Sequence, residues 1–175
     1  LEMAQHKKSG KAQKLIVAGC LVERYRGDIQ KQMPEVDAVI GTNELDKIVA
    51  LCEGSEAKGN PFEPYLYHDL TPRVLSTPRH YAYIKIAEGC DHPCTFCVIP
   101  QYRGAFRSGR FESVVVEAGR LFAQGIREIN LIGQDTTSYG EDLGLKDGLA
   151  QLMGRLAQIE TPFEKWIRNL YVYPN

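Results

Sequence analysis

Apolar and polar positions fall into two separate series along this chain. In the first, Lys14-Leu15-Ile16-Val17-Ala18 predicts a short buried strand stopped by Gly19 and Cys20. Residues 21–33 carry helical periodicity, which Pro34 closes. Val36-Asp37-Ala38-Val39-Ile40 predicts a second strand ending at Gly41. Thr42-Asn43 then caps a helix expected over residues 44–51, with Leu45, Ile48 and Val49 on one face. Strand, helix, strand, helix is the order of a parallel α/β sheet.

Residues 53–80 break this rhythm. Gly54, Gly59, Pro61, Pro64, Pro72 and Pro78 mark a connector, with a short extended pair expected around Tyr65-Leu66-Tyr67. The second series opens at Tyr81, where Ala82, Ile84 and Ile86 alternate with Tyr83 and Lys85 as in a half-buried strand. A helix follows over residues 112–124, with Val114, Val115, Ala118, Leu121 and Phe122 inward and Gly125 as its stop. Its run of valines and Gly119 weaken it, the glycine alone by about 1 kcal/mol relative to alanine. Residues 128–132 predict the next strand, ending in Gly133-Gln134-Asp135-Thr136-Thr137. Leu149, Leu152, Leu156 and Ile159 mark another helix, and residues 166–173 a third strand, in which Asn169 is a polar residue at an ordinarily apolar place. Three strands and two helices cannot close a barrel, so the sequence reads as cut at both ends.

Composition narrows the class. The chain has 175 residues, 43% of them hydrophobic, which suits a soluble globular protein of one large or two small domains. A net charge of −1 carries no global nucleic-acid footprint. There is no apolar run of membrane-spanning length and no secretory pattern, so the sequence reads as cytoplasmic. Lys7, Lys8, Lys11 and Lys14 read as a solvated helix end and loop. In such a chain five cysteines point to metal or redox chemistry rather than disulfides.

Three of them, Cys90, Cys94 and Cys97, share one loop with the spacing Cys-x3-Cys-x2-Cys. An iron–sulfur cube ordinarily takes four cysteines, and no fourth lies nearby. Three thiolates leave one iron without a protein ligand, and that iron is where chemistry is expected. The alternatives are a zinc-stabilised binding module with His92 or His80 as fourth ligand, and a buried group of inert thiols. Cys52, at a helix end without a motif partner, is expected to be buried.

With Phe96 before the last cysteine and a strand just upstream, this loop resembles the radical S-adenosylmethionine (SAM) superfamily. The runs Ile84-Lys85-Ile86-Ala87-Glu88-Gly89-Cys90, Cys94-Thr95-Phe96-Cys97-Val98-Ile99-Pro100 and Arg103-Gly104 resemble its methylthiotransferase branch, and Gly19-Cys20-Leu21-Val22-Glu23-Arg24-Tyr25 resembles part of that branch's N-terminal domain. Gly133-Gln134-Asp135-Thr136-Thr137, Tyr139-Gly140 and Arg107-Ser108 are similar to the RimO type, which acts on the twelfth small-subunit ribosomal protein. The competing MiaB type acts on tRNA and tends to show Gly-Gln-Asn-Val at that place.

The resemblance implies an α/β fold: the remainder of an N-terminal methylthiotransferase domain in residues 1–55, a connector in 56–79, and the first half of a radical-SAM barrel in 80–175. It implies that Cys90, Cys94 and Cys97 hold a 4Fe–4S cluster whose open iron binds SAM. Cys20 would be one ligand of a second, sulfur-carrying cluster whose other two cysteines precede this chain. Reductive cleavage of SAM, using an electron donor, would generate a radical that takes hydrogen from an aspartate β-carbon. Phe96, Gln134 and Asp135 are expected near SAM, with loop packing or capping as the competing roles. Arg103, Arg107 and Arg110 are expected to meet an acidic substrate or the SAM carboxylate, at least one of them being simply solvated, and Gly109 looks inserted into the family's Arg-Ser-Arg run. Implied partners are the ribosomal protein and a reductant, with no membrane and no direct nucleic-acid contact; the fragment alone is expected to be inactive.

Overall fold

The computed structural model describes residues 2–55 and 65–173. The chain divides into two compact units, Leu1–Tyr65 and Leu66–Asn175.

In the first unit, α1 (Glu2–Lys8) precedes β1 (Ile16–Ala18), α2 (Cys20–Gln32), β2 (Ala38–Ile40), a 3-10 turn (Thr42–Lys47) and α3 (Ile48–Glu53). The two strands pair in parallel, Val17 opposite Val39. Val22, Ile29 and Val39 form the small core, with Val17, Met33 and Val36 packed against it. The basic run is not wholly solvated: Lys7 closes a helix and pairs with Asp37 at 2.7 Å, and Lys14 donates to the Leu51 carbonyl at 2.7 Å.

The helix expected over residues 44–51 is broken in two. Glu44 leaves helical geometry (φ −126°) because its carboxylate turns back to accept from the Gly41 N–H at 3.0 Å and from Arg26 and Lys47. The α3 that remains buries none of its residues, leaving Ile48 and Val49 exposed. Cys52 is therefore exposed, not buried as expected, because so short a helix covers nothing with that face.

Burial alone would raise the Glu44 carboxyl, but those donors outweigh it and hold it down at about 2, against 4.5 in the open chain. A depressed carboxyl stabilises the fold above its unfolded value, so this contribution is complete above pH 4.5 and is lost as pH falls toward 2. Glu44→Gln is expected to flatten that acid limb by about 1–2 kcal/mol after solvent screening. Urea midpoints measured from pH 2 to 6 check this, and an unchanged slope would count against it.

The second unit contains β3 (Tyr81–Lys85), β4 (Ala87–Glu88), α4 (Ile99–Arg103), β5 (Arg107–Ser108), α5 (Phe111–Ala123), β6 (Glu128–Ile132), α6 (Gly148–Ala157) and β7 (Trp166–Asn169). β3, β6 and β7 form a parallel sheet in that order, with Ile84 opposite Leu131 and Leu131 opposite Asn169. One face presents Ala82, Ile84, Ile129, Leu131 and Ile167, and packs with the apolar residues of α5 and α6. The other face carries Tyr81, Tyr83, Glu128, Asn130, Trp166 and Arg168. Glu128 and Arg168 pair across it at 3.0 Å.

α5 buries Val114, Val115, Ala118, Leu121 and Phe122, the residues its periodicity selected. Each is worth about 1.5–3 kcal/mol when fully buried if large, which outweighs the poor intrinsic propensity of the valines. β7 stops at Asn169, well short of residue 173. The chain then turns through Tyr171 (φ 63°) and gives its carbonyl to the Thr136 N–H at 3.1 Å. Asn169 does sit where an apolar residue would, and its Oδ1 is buried without a hydrogen-bond partner among the described residues.

Part of the connector, residues 56–64, lies outside the described residues. No strand forms at residues 65–67. Beyond them the chain turns at His68–Thr71 and straps α5: Asp69 meets Ser113 at 2.7 Å, and Arg73 reaches Glu117 and the Tyr83 carbonyl.

Candidate functional site

The cysteine loop leaves β4 and returns to β5. These two-residue strands pair antiparallel, Ala87 with Ser108 and Glu88 with Arg107, and so pin the loop at its base. Gly89 opens it with φ 80°, a conformation glycine adopts without penalty. The Asp91 carboxylate accepts from the Phe106 N–H at 2.9 Å, and the Cys90 N–H approaches the Gly104 carbonyl at 3.4 Å. Between them the Cys97 N–H donates to the Cys94 carbonyl at 3.0 Å, which curls the second half of the motif into a tight turn.

The side chains at the loop's base are stitched by charge. Glu88 is buried and takes Arg103 at 2.9 Å and Lys85 from the other side. Burial would raise its carboxyl, but these two cations win and hold it below the ordinary value. Arg107 donates to the Ala105 carbonyl at 3.0 Å and the Arg103 carbonyl at 3.2 Å, while Arg110 is exposed just ahead of α5. Two of the three arginines therefore serve the loop itself.

The residues after β6 meet the loop. Gln134 Oε1 accepts from the Gly89 N–H at 2.8 Å, and Asp135 receives His92 Nε2 at 2.8 Å. Burial raises the Asp135 carboxyl, but hydrogen bonds from Ser138, His92 and Thr137 more than offset it and leave it depressed. An acidic cavity of about 260 Å³ lies beside the pair, lined by Asp91, Glu141 and Asp142 among others. A larger one of about 340 Å³ lies between the strap and α5, and neither cavity is lined by a cysteine.

None of the five cysteines is in a disulfide; Cys90 is buried, and Cys94, Cys97 and Cys20 are half-buried. Among the described residues no three His, Cys, Asp or Glu converge closely enough to hold a single metal ion. A lone zinc needs its thiolates about 2.3 Å from one common point, whereas a cube gives each cysteine its own iron. Three thiols on one braced loop are a donor set that fits such a cube. The His92 ring offered for zinc is engaged by Asp135, and His80 packs edge-on against Tyr81. Phe96 is 89% exposed and does not pack beneath the loop. Cys20 opens α2 at the C-terminal end of β1, behind Gly19 (φ 133°).

The sequence singled out the cysteine loop and the segment after β6, but did not reveal that Gly89 and His92 of the loop hydrogen-bond to Gln134 and Asp135 of that segment. It also missed Tyr173, whose ring stacks on His92 at 4.0 Å between centroids. The pair Asp135–His92 spans 43 positions, and the sequence's nearest signal was that polar residues crowd both segments.

No family model matches the chain. It is 82% identical over 175 residues to the ribosomal protein uS12 methylthiotransferase RimO of Solibacter usitatus, covering all of this chain and 38% of that protein. The corresponding RimO of Koribacter versatilis is 54% identical over 221 residues, again across the whole chain and 44% of the relative. That of Heliobacterium modesticaldum is 45% identical over 181 residues, with 38% of the relative covered. The chain thus spans about two fifths of the curated relatives it matches. Among solved structures, the radical SAM methyltransferase TsrM of Kitasatospora setae superposes with a TM-score of 0.57 over 87% of this chain and 34% of its own, at 16% identity. That likeness shows a shared α/β fold, as the strand and helix order predicted.

Proposed function

We propose, for a chain that belongs to the RimO-type family of radical SAM methylthiotransferases, that the full-length enzyme converts an aspartate of ribosomal protein uS12 to 3-methylthioaspartate. The observation that carries the reading is the braced loop of three free thiols beyond the strand ends of a parallel sheet, the edge where α/β folds gather their active sites. When bound, a 4Fe–4S cluster and SAM would supply the one-electron chemistry that an unactivated C–H bond requires.

Cys90, Cys94 and Cys97 are the residues that would hold that cluster, and Cys20 one that would hold a second. Phe96 offers an exposed ring and its backbone to SAM beside the third thiol. Gln134 and Asp135 stay on the SAM side of the site, although both side chains also face the loop. Residues 1–55, 56–79 and 80–175 are then the N-terminal domain remainder, the connector and the partial barrel. The partners are uS12 and a one-electron donor, with no direct nucleic-acid contact made by this segment and a cytoplasmic location. No helix among the described residues is long and apolar enough to cross a membrane.

The test is anaerobic reconstitution of the full-length enzyme, followed by incubation with SAM, a reductant and either uS12 or tRNA. Iron and sulfide on the protein and a methylthio group on a uS12 aspartate are the expected results. Zinc without iron, or transfer to tRNA alone, would overturn the reading. The 175-residue chain alone is expected to transfer nothing.

A further inference from the structure

We infer that His92 and Asp135, with Gln134 beside them, form a clasp that positions the cysteine loop, making Asp135 and Gln134 positioning residues for the thiols. The segment after β6 reaches outward at each step. Gln134 takes the Gly89 N–H at 2.8 Å. Asp135 Oδ2 takes His92 Nε2 and the Ser138 hydroxyl, both at 2.8 Å, and its Oδ1 takes the Thr137 N–H at 2.9 Å. Thr136 donates to the Leu170 carbonyl at 2.9 Å, and the Tyr173 N–H donates to the Thr137 hydroxyl at 2.8 Å. The Tyr173 ring then stacks on His92, tilted by 16°.

The two ties to the loop fall at Gly89 and His92, on either side of Cys90. That thiol is consequently the most buried of the three. Asp135 is 3% exposed with both oxygens engaged, so its carboxylate is held in one orientation. A buried carboxylate with three donors, two of them from its own turn, is built to hold its third donor, the histidine ring, in one place. Through that ring it holds the chain between Cys90 and Cys94.

The clasp matters to cluster binding only through the ligand assignment proposed above, so the test separates the two. Metal-free full-length protein is alkylated for a short time and each cysteine is read by peptide mass spectrometry. With His92→Ala or Asp135→Ala, labelling of Cys90 is expected to rise about tenfold, the effect of losing a charge-assisted hydrogen bond. Cys94 and Cys97 should follow to a smaller degree, while Cys20 and Cys52 stay unchanged as internal references. Asp135→Asn keeps an acceptor for His92 and should restore most of the protection. The double variant His92→Ala/Asp135→Ala should be no more reactive than either single change. A uniform rise at all five cysteines, or no rise at Cys90 in the milder His92→Ala variant, would overturn the clasp. Iron content after reconstitution reports the ligand assignment separately.

Discussion

Full-length enzyme carrying Cys94→Ala is expected to emerge from anaerobic reconstitution about four irons short per chain, and to cleave SAM no faster than the protein-free background. Three thiolates leave one iron free for SAM, so the set has no spare member. Removing one leaves two anchors for a cube, and nearby side chains offer no replacement: His92 is engaged by Asp135, and Asp91 by the Phe106 backbone. Cys90→Ala and Cys97→Ala should match it. Two other cysteines make the experiment discriminating. Cys20→Ala should also lower the iron content yet leave SAM cleavage standing, because that thiol is proposed to hold the second cluster. Cys52→Ala, at an exposed site, should change neither. Retention of full iron and normal cleavage by Cys94→Ala would remove the basis of the proposed chemistry.

The largest expected loss of stability comes from a single methyl group, in Gly89→Ala. At φ 80° an alanine sits in a sparsely populated region that costs about 1–3 kcal/mol. Its Cβ would also lie 2.2 Å from the Ala105 carbonyl oxygen and 2.6 Å from that of Gly104. Both obstacles are backbone, so relief requires moving the loop's returning arm, at about 1–3 kcal/mol more for overpacking. The sum is about 2–6 kcal/mol, and the displaced arm carries the Cys90–Gly104 and Asp91–Phe106 contacts with it. Gly119→Ala is the natural control. That glycine lies inside α5 with open space where its Cβ would go, and alanine there should stabilise by about 1 kcal/mol. Urea midpoints for the two variants should move in opposite directions; a Gly89→Ala midpoint equal to wild type would show that the loop is far more pliant than these contacts allow.

The contrast between those glycines parallels what the sequence disclosed and what it withheld. Only Gly119 stood out in the sequence as a break in a helical pattern, and only the geometry says that Gly89 is the irreplaceable one. Long periodic elements were legible: the inward residues of α5 and the alternation of β3 follow from burial on one face, which is a local property. The helix over 44–51 was misread because Glu44 prefers the Gly41 N–H and two cations to helical geometry, and the cation Arg26 arrives from another element. β4 and β5 were invisible, since strands of two residues carry no period. The three thiols stood out by their spacing, and the segment after β6 by its place at a strand end. Their junction did not, because a hydrogen bond across 43 positions leaves no trace in a single sequence.

The small ladder between β4 and β5 has one more consequence, which concerns how metal arrives. Bringing the ends of a free segment of this length together costs about 2–3 kcal/mol in chain entropy. Here the Ala87–Ser108 and Glu88–Arg107 pairs close it, so the ladder bears that cost. A zinc finger must fold and load in one event, and its affinity is drained by the folding. On the ligand assignment proposed above, loading is expected to be uncoupled from folding: the thiols stand together on a braced loop, and a cluster lost to oxygen would be rebuilt without the domain having to unfold.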